Sequence, residues 1–143
     1  MTDTELKDYL KEFLNFTDGV QNYIRALEFY KDNGLSPHLD RFTYRETVRQ
    51  INEQITEAQE ELMTRTATVK AWSCLIDNED RRQIFVERYL KGDSWEDIAD
   101  RHNYSEPHIF KINNYCCEEI ALKTVCDLTA SHDAKPEALS QYN

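Results

Sequence analysis

Glycine and proline are scarce here: the 143 residues hold three of each. A chain so poor in helix breakers can run in long helices, and all-β folds, which need turn residues at close intervals, are disfavoured. Long apolar runs are missing too. None approaches the ~20 residues that span a bilayer, so no membrane segment is expected. The opening residues Met1-Thr2-Asp3-Thr4-Glu5 are acidic and carry no apolar stretch of the secretory kind, which makes a cytoplasmic protein the expectation. Cysteine is limited to Cys74, Cys116, Cys117 and Cys126, with no Cys-x-x-Cys pair. These read as reduced thiols packed as small apolar residues. A metal site combining them with His102, His108 or His132 lacks ligand spacing, and no cofactor is expected. Gly-rich phosphate loops, H-E-x-x-H and G-x-S-x-G are absent. No carboxylate or nucleophile stands at a spacing that would serve His108 as a catalytic base, so no catalytic residue is assigned and no enzyme is expected.

Positive charge is also short. Against 27 acidic residues stand 17 basic ones, for a net charge of −10. The deficit lies at both ends: residues 1–40 carry net −4, residues 41–72 are balanced, and residues 73–143 carry net −6. Nucleic-acid binders draw much of their affinity from phosphate neutralisation. Any DNA contact by this chain therefore has to come from a local cation, a helix N-terminus or polar side chains.

What the sequence does have is helical periodicity. Thr2-Asp3-Thr4-Glu5 has the form of a capping box, and Leu6, Tyr9, Leu10, Phe13 and Leu14 follow on one helical face. The spacing predicts a helix ending near Phe16, a break at Thr17-Asp18-Gly19, and a second helix carrying Val20, Tyr23, Ile24, Leu27 and Tyr30. Asn33-Gly34 and Ser36-Pro37 mark a loop. Thr43-Tyr44-Arg45-Glu46 repeats the capping-box pattern and opens the most regular segment. Tyr44, Val48, Ile51, Ile55, Ala58, Leu62, Arg65, Val69, Trp72 and Ile76 form a heptad seam in which Arg65 alone is polar. A helix from Tyr44 to Trp72 would run about 43 Å at ~1.5 Å per residue, and its stripe must pack on the N-terminal helices, on a second copy, or on both. Val48, Ile51, Ile55 and Leu62 are the candidate self-association residues. Trp72 and Trp95 read as packing residues, and the Glu60-Glu61 and Glu118-Glu119 pairs as solvated faces.

The last third carries the functional signal. Asp77 is the expected cap of a helix from Asn78 to Lys91, ended by Gly92. Ser94-Trp95-Glu96-Asp97 starts a short helix, His102-Asn103-Tyr104 forms a tight turn, and Ser105 caps a further helix with Pro107 in its first turn. Ala99 is small enough for close approach of the two helices, and Asn103 stands where the turn needs a positive φ. Ile109, Ile112, Cys116 and Ile120 make the buried stripe, which leaves Pro107, His108, Phe110, Lys111 and Asn114 exposed. This is the logic of a helix-turn-helix, with Lys111 set to meet a phosphate or guanine and Asn114 an adenine.

The run from Asp80 to Ala99, with Arg88-Tyr89, Gly92, Ser94-Trp95 and Ile98-Ala99 in register and Tyr104-Ser105 following, resembles the helix-turn-helix of sigma-factor region 4. More narrowly, it resembles the phage ArpU/RinA-type late transcription regulators. The resemblance spans about 45 residues. It implies a cytoplasmic, phage- or prophage-borne activator that binds promoter DNA, with RNA polymerase as a further partner and recognition falling on Glu106, His108, Lys111 and Asn114.

The expectation is therefore an all-α protein. Residues 1–76 form a helical self-association region containing the long heptad helix, residues 77–128 a sigma-type helix-turn-helix domain, and residues 129–143 a disordered tail. The expected function is sequence-specific binding of double-stranded DNA by a homodimer through Ser105, Glu106, His108, Phe110, Lys111 and Asn114, with no metal and no membrane partner. The alternative is an interaction module that keeps the same helices but binds RNA polymerase, a repressor or another phage protein.

Overall fold

In a computed structural model, which describes residues 1–133 and the side chains of residues 1–125, every regular element is helical. The elements are α1 (Asp3–Phe29), a π-type turn (Tyr30–Gly34), α2 (Arg41–Ser73), α3 (Glu79–Tyr89), α4 (Trp95–His102) and α5 (Glu106–Asp133). The chain divides into two compact units, one of Glu12–Thr68 and one of Met1–Lys11 with Val69 onward. α5 runs into the segment 129–143 expected as a tail; residues 134–143 of that segment lie outside the described residues.

Glu12–Thr68 is a helical hairpin. Its two arms are antiparallel, as two contacts show. The Arg65 guanidinium lies 3.9 Å from the centroid of the Phe16 ring, and Lys31 Nζ donates to Asn52 Oδ1 at 3.4 Å. The one polar residue of the heptad seam is thus accommodated by a cation–π contact, with Glu61 completing its charge at 3.0 Å. Two sequence expectations fail in this unit. The break at Thr17-Asp18-Gly19 does not occur, and α1 is one helix where two were expected. The Thr17 hydroxyl folds back to donate to the Phe13 carbonyl at 2.9 Å, which removes its tendency to turn the chain. Gly19 costs roughly 1 kcal/mol inside a helix, an amount that packing of the half-covered Val20, Ile24 and Leu27 offsets. The second correction is the start of α2. Asp40, not Thr43, caps it: Asp40 Oδ1 accepts from the Thr43 N–H at 2.8 Å and Oδ2 from the Thr43 hydroxyl at 2.7 Å. These bonds hold the Asp40 carboxyl below the usual carboxylate range.

The seam also differs from a free self-association face. Ile51 and Ile55 are buried within the chain, and Val48 and Leu62 are half-covered. Ile51 and Ile55 are therefore already covered within a single copy, whereas Val48 and Leu62 stay partly open.

The second unit begins with the expected capping box. Thr2 Oγ1 accepts from the Glu5 N–H at 3.1 Å, and Glu5 Oε2 from the Thr2 N–H at 3.3 Å. Leu6 and Leu10 are buried, and Tyr9 meets Trp72 edge-on with centroids 5.0 Å apart. The cap of α3 is Asn78, whose side chain accepts from the Arg81 N–H; Asp77, expected there, instead pairs with Lys123 at 2.8 Å. Lys123 also donates to Glu119 and to the Leu75 carbonyl, tying the α2–α3 connection to α5. Helices α3, α4 and α5 pack mutually around Ile84, Phe85, Ile98, Ile109, Ile112 and Ile120, all buried. Each such side chain contributes roughly 1.5–3 kcal/mol.

Candidate nucleic-acid interface

The α3–α4–α5 unit is shaped by its caps and turns. α3 ends at Tyr89 with Leu90 as its C-cap, and the chain reverses through Gly92 at φ 76°, with the Asp93 N–H donating to the Glu87 carbonyl at 3.0 Å. Ser94 then caps α4, its hydroxyl accepting from the Asp97 N–H at 3.1 Å. The short turn after α4 depends on Asn103, which adopts φ 59° and ψ 39°, the left-handed region. The N–H of Asn103 and that of Tyr104 bond back to the end of α4, the latter to the Ala99 carbonyl at 2.9 Å. Ser105 caps α5 by accepting from the His108 N–H at 3.3 Å. Asn103, Ala99 and Ser105 therefore stand in the positions their sequence spacing predicted.

Beneath this turn lies a charge cluster that the sequence did not reveal. Glu87 is 2% exposed, yet it sits on α3 among apolar neighbours. Its Oε1 accepts from Arg101 Nη1 and its Oε2 meets His102 Nε2, both at 2.7 Å. Arg101 also reaches Asp93 at 3.0 Å. Burial pushes the Glu87 carboxyl up, but the bonds from His102 and Arg101 outweigh it and hold the group below the usual glutamate range. The cluster clamps α3 to α4 and fixes the end of α4 from which the turn departs. Only the Glu87–Arg101–His102 triple, fourteen and fifteen residues apart, could have signalled it, and that spacing belongs to no local pattern.

All six residues expected to meet DNA are exposed: Ser105, Glu106, His108, Phe110, Lys111 and Asn114. They lie within the first turns of one helix. Phe110 is braced edge-on by Trp95 with centroids 5.6 Å apart, and His108 by Tyr104 at 4.6 Å. The Arg88 guanidinium covers the Trp95 ring at 4.6 Å, and Tyr89 meets its edge at 6.2 Å. Trp95 is thus the packing residue it was expected to be. Tyr89, buried, donates its hydroxyl to Asn113 at 2.9 Å, and burial raises its phenol.

The cations of this unit are largely engaged. Arg101 is neutralised by Glu87 and Asp93, and Lys123 by Asp77 and Glu119. Arg81 stacks on Tyr115 at 4.9 Å. Lys111 forms no ion pair with a described residue. Cys116 and Cys117 are buried, and burial pushes their thiols up to about 12 and about 11, as expected for packing residues. Among the described residues no group of three His, Cys, Asp or Glu side chains is placed to hold a metal ion, and no helix is long and apolar enough to cross a membrane.

No family model, curated protein or solved structure matches the chain.

Proposed function

We propose that this chain is a sequence-specific DNA-binding regulator that acts at promoters, with α5 as the helix that enters the major groove. The observation that supports the reading is the junction of α4 and α5. Two helices of a three-helix unit meet through a short turn whose Asn103 is left-handed, and the N-terminal turns of the second helix present His108, Phe110, Lys111 and Asn114 to solvent. A recognition helix needs that arrangement, because its first turns reach base edges while the preceding helix sets its angle. Asn114 offers the donor–acceptor pair that matches adenine, and Lys111 the cation for a phosphate or guanine. The reading rests also on the resemblance of the Asp80–Ala99 run to sigma region 4 and to phage late regulators, and it implies a cytoplasmic location.

The shortage of free cations sets the character of the binding. With Lys111 as the principal free cation on α5, about one or two phosphates are neutralised per copy. The logarithm of affinity should then fall with the logarithm of salt at a slope of only about −1 to −2 per protomer. Affinity would rest on polar and apolar base contacts, and useful occupancy on a second copy or RNA polymerase. Electrophoretic shift against fragments of the chain's own genomic neighbourhood, across a salt series, tests the proposal. Binding to one fragment with a shallow slope supports it, and absence of binding at low salt sinks it.

One observation favours a second reading. The same unit exposes Tyr104, Phe110 and Tyr115 at 38%, 44% and 42% in an acidic setting, a composition that suits a protein partner better than a phosphate backbone. Under it the helices would bind a polymerase subunit, a repressor or another phage protein. Recovery of such a partner by a chain that shifts no DNA would select it.

A further inference from the structure

Among Ser105, Glu106, His108, Phe110, Lys111 and Asn114, Phe110 alone can neither donate nor accept a hydrogen bond through its side chain. It is 44% exposed, yet its ring is fixed. Trp95, the first residue of α4, meets it edge-on with centroids 5.6 Å apart and planes at 85°. Trp95 is half-buried and is itself held, by Tyr89 at 6.2 Å and by the Arg88 guanidinium 4.6 Å from its ring centroid. Arg88 Nη1 in turn donates to the Asp93 carbonyl at 3.0 Å. The Phe110 ring is anchored on one part and bare on the rest, so ordering it against a ligand costs little side-chain entropy.

The neighbours of Phe110 indicate what that ring meets. Asn114 lies four residues further along α5, so the two share a helix face, and both are exposed. Their separation along the axis is about 6 Å at ~1.5 Å per residue, against ~3.4 Å per base step. With Asn114 on an adenine, Phe110 therefore faces a base pair about one or two steps away. In the major groove, guanine, cytosine and adenine present hydrogen-bond donors and acceptors, and thymine alone adds a methyl group. A fixed ring set against a donor or acceptor strips it of water and returns no hydrogen bond. Set against the methyl, it buries apolar surface on both sides.

We propose that Phe110 reads the 5-methyl group of a thymine about one or two base pairs from the adenine read by Asn114. The inference rests on α5 entering the major groove, and it goes further by naming the base and the group on it. Discrimination works in both directions, since burial favours thymine and unpaired polar edges disfavour the other three bases. A methyl contact also releases no counterion, which fits a surface with so few free cations.

Uracil pairs as thymine does but lacks the methyl, so exchanging one for the other isolates the contact. In a DNA fragment that the full chain shifts, each thymine is replaced singly by uracil and affinity is measured again. For wild type, exchange at one thymine per half-site should weaken binding about three- to fivefold, the worth of one buried methyl, and exchange elsewhere should change nothing. Phe110→Ala should bind the thymine and uracil forms of that position equally, and Phe110→Leu should keep part of the difference. The wild-type comparison needs no variant, so it stands whatever either substitution does to the packing on Trp95. Indifference of wild type to every exchange overturns the inference and leaves DNA reading by α5 intact. A difference that survives in Phe110→Ala overturns it too, because another side chain then reads the methyl. Failure to bind any fragment at low salt sinks the groove-entering reading, and the inference with it.

Discussion

Removing both donors from Glu87 should destabilise the protein far more than removing Glu87 itself. The carboxylate is 2% exposed and takes bonds from Arg101 and His102, whereas the Arg101 side chain is 47% exposed and has Asp93 as a second partner. In Arg101→Met/His102→Leu a buried carboxylate loses its compensation, which costs about 3–5 kcal/mol. In Glu87→Leu the arginine keeps water and Asp93, and the buried site gains an apolar chain of similar volume, so the cost is about 1–2 kcal/mol. The triple variant should recover most of the difference, because no charge is then stranded. Urea unfolding with a common slope measures all three. Acid adds a sign. The folded-state pKa of Glu87 is depressed, so its contribution is present above the ordinary glutamate value of about 4.3 and is lost as pH falls through the lower folded value. Wild type should therefore lose stability in that acid window more steeply than Glu87→Gln. The reasoning is refuted if Glu87→Leu costs as much as the double variant, or if the triple variant recovers nothing.

Three further outcomes follow from local geometry. Gly19→Ala should raise stability by about 0.5–1 kcal/mol in thermal unfolding, because the position is helical and an added Cβ meets nothing within 4 Å. Asn103→Val should cost about 1–2 kcal/mol by the same assay, since a β-branched residue is strained at φ 59°. With Cys126 replaced by serine, a thiol reagent at neutral pH should label Cys74, which is exposed, while Cys116 and Cys117 react only on unfolding, as mass spectrometry after a timed quench would show.

Elements whose signals are local were readable in the sequence. Ser94, Ser105 and the Thr2–Glu5 box cap helices where they should, and Asn103 takes the positive φ that the turn demands. The all-α architecture and the long α2 follow from periodicity and the scarcity of breakers. What failed depended on competition between neighbours. Gly19 and Thr17 looked like a break, but one glycine costs less than the packing gained by continuing α1. Asp40 outbids Thr43 as a cap, and Asn78 outbids Asp77, whose carboxylate serves Lys123 instead. Long-range facts were hidden altogether. Burial of Ile51 and Ile55 within the hairpin, and of Glu87 under two donors on α4, depends on which helices meet, and no spacing along the chain records that. The exposed residues at the start of α5 were legible because the buried stripe Ile109, Ile112, Cys116 and Ile120 dictates what is left outside.

DNA reading by α5 is tested most directly by measuring binding of wild type, Lys111→Glu and Asn114→Ala to a panel of fragments varied one base pair at a time. The account predicts that Lys111→Glu weakens every fragment alike, by loss of a cation near phosphate. Asn114→Ala should flatten preference at a single A·T position, at a cost on the order of 1–3 kcal/mol. Equal binding of all three proteins to every fragment, or none by wild type, would contradict it.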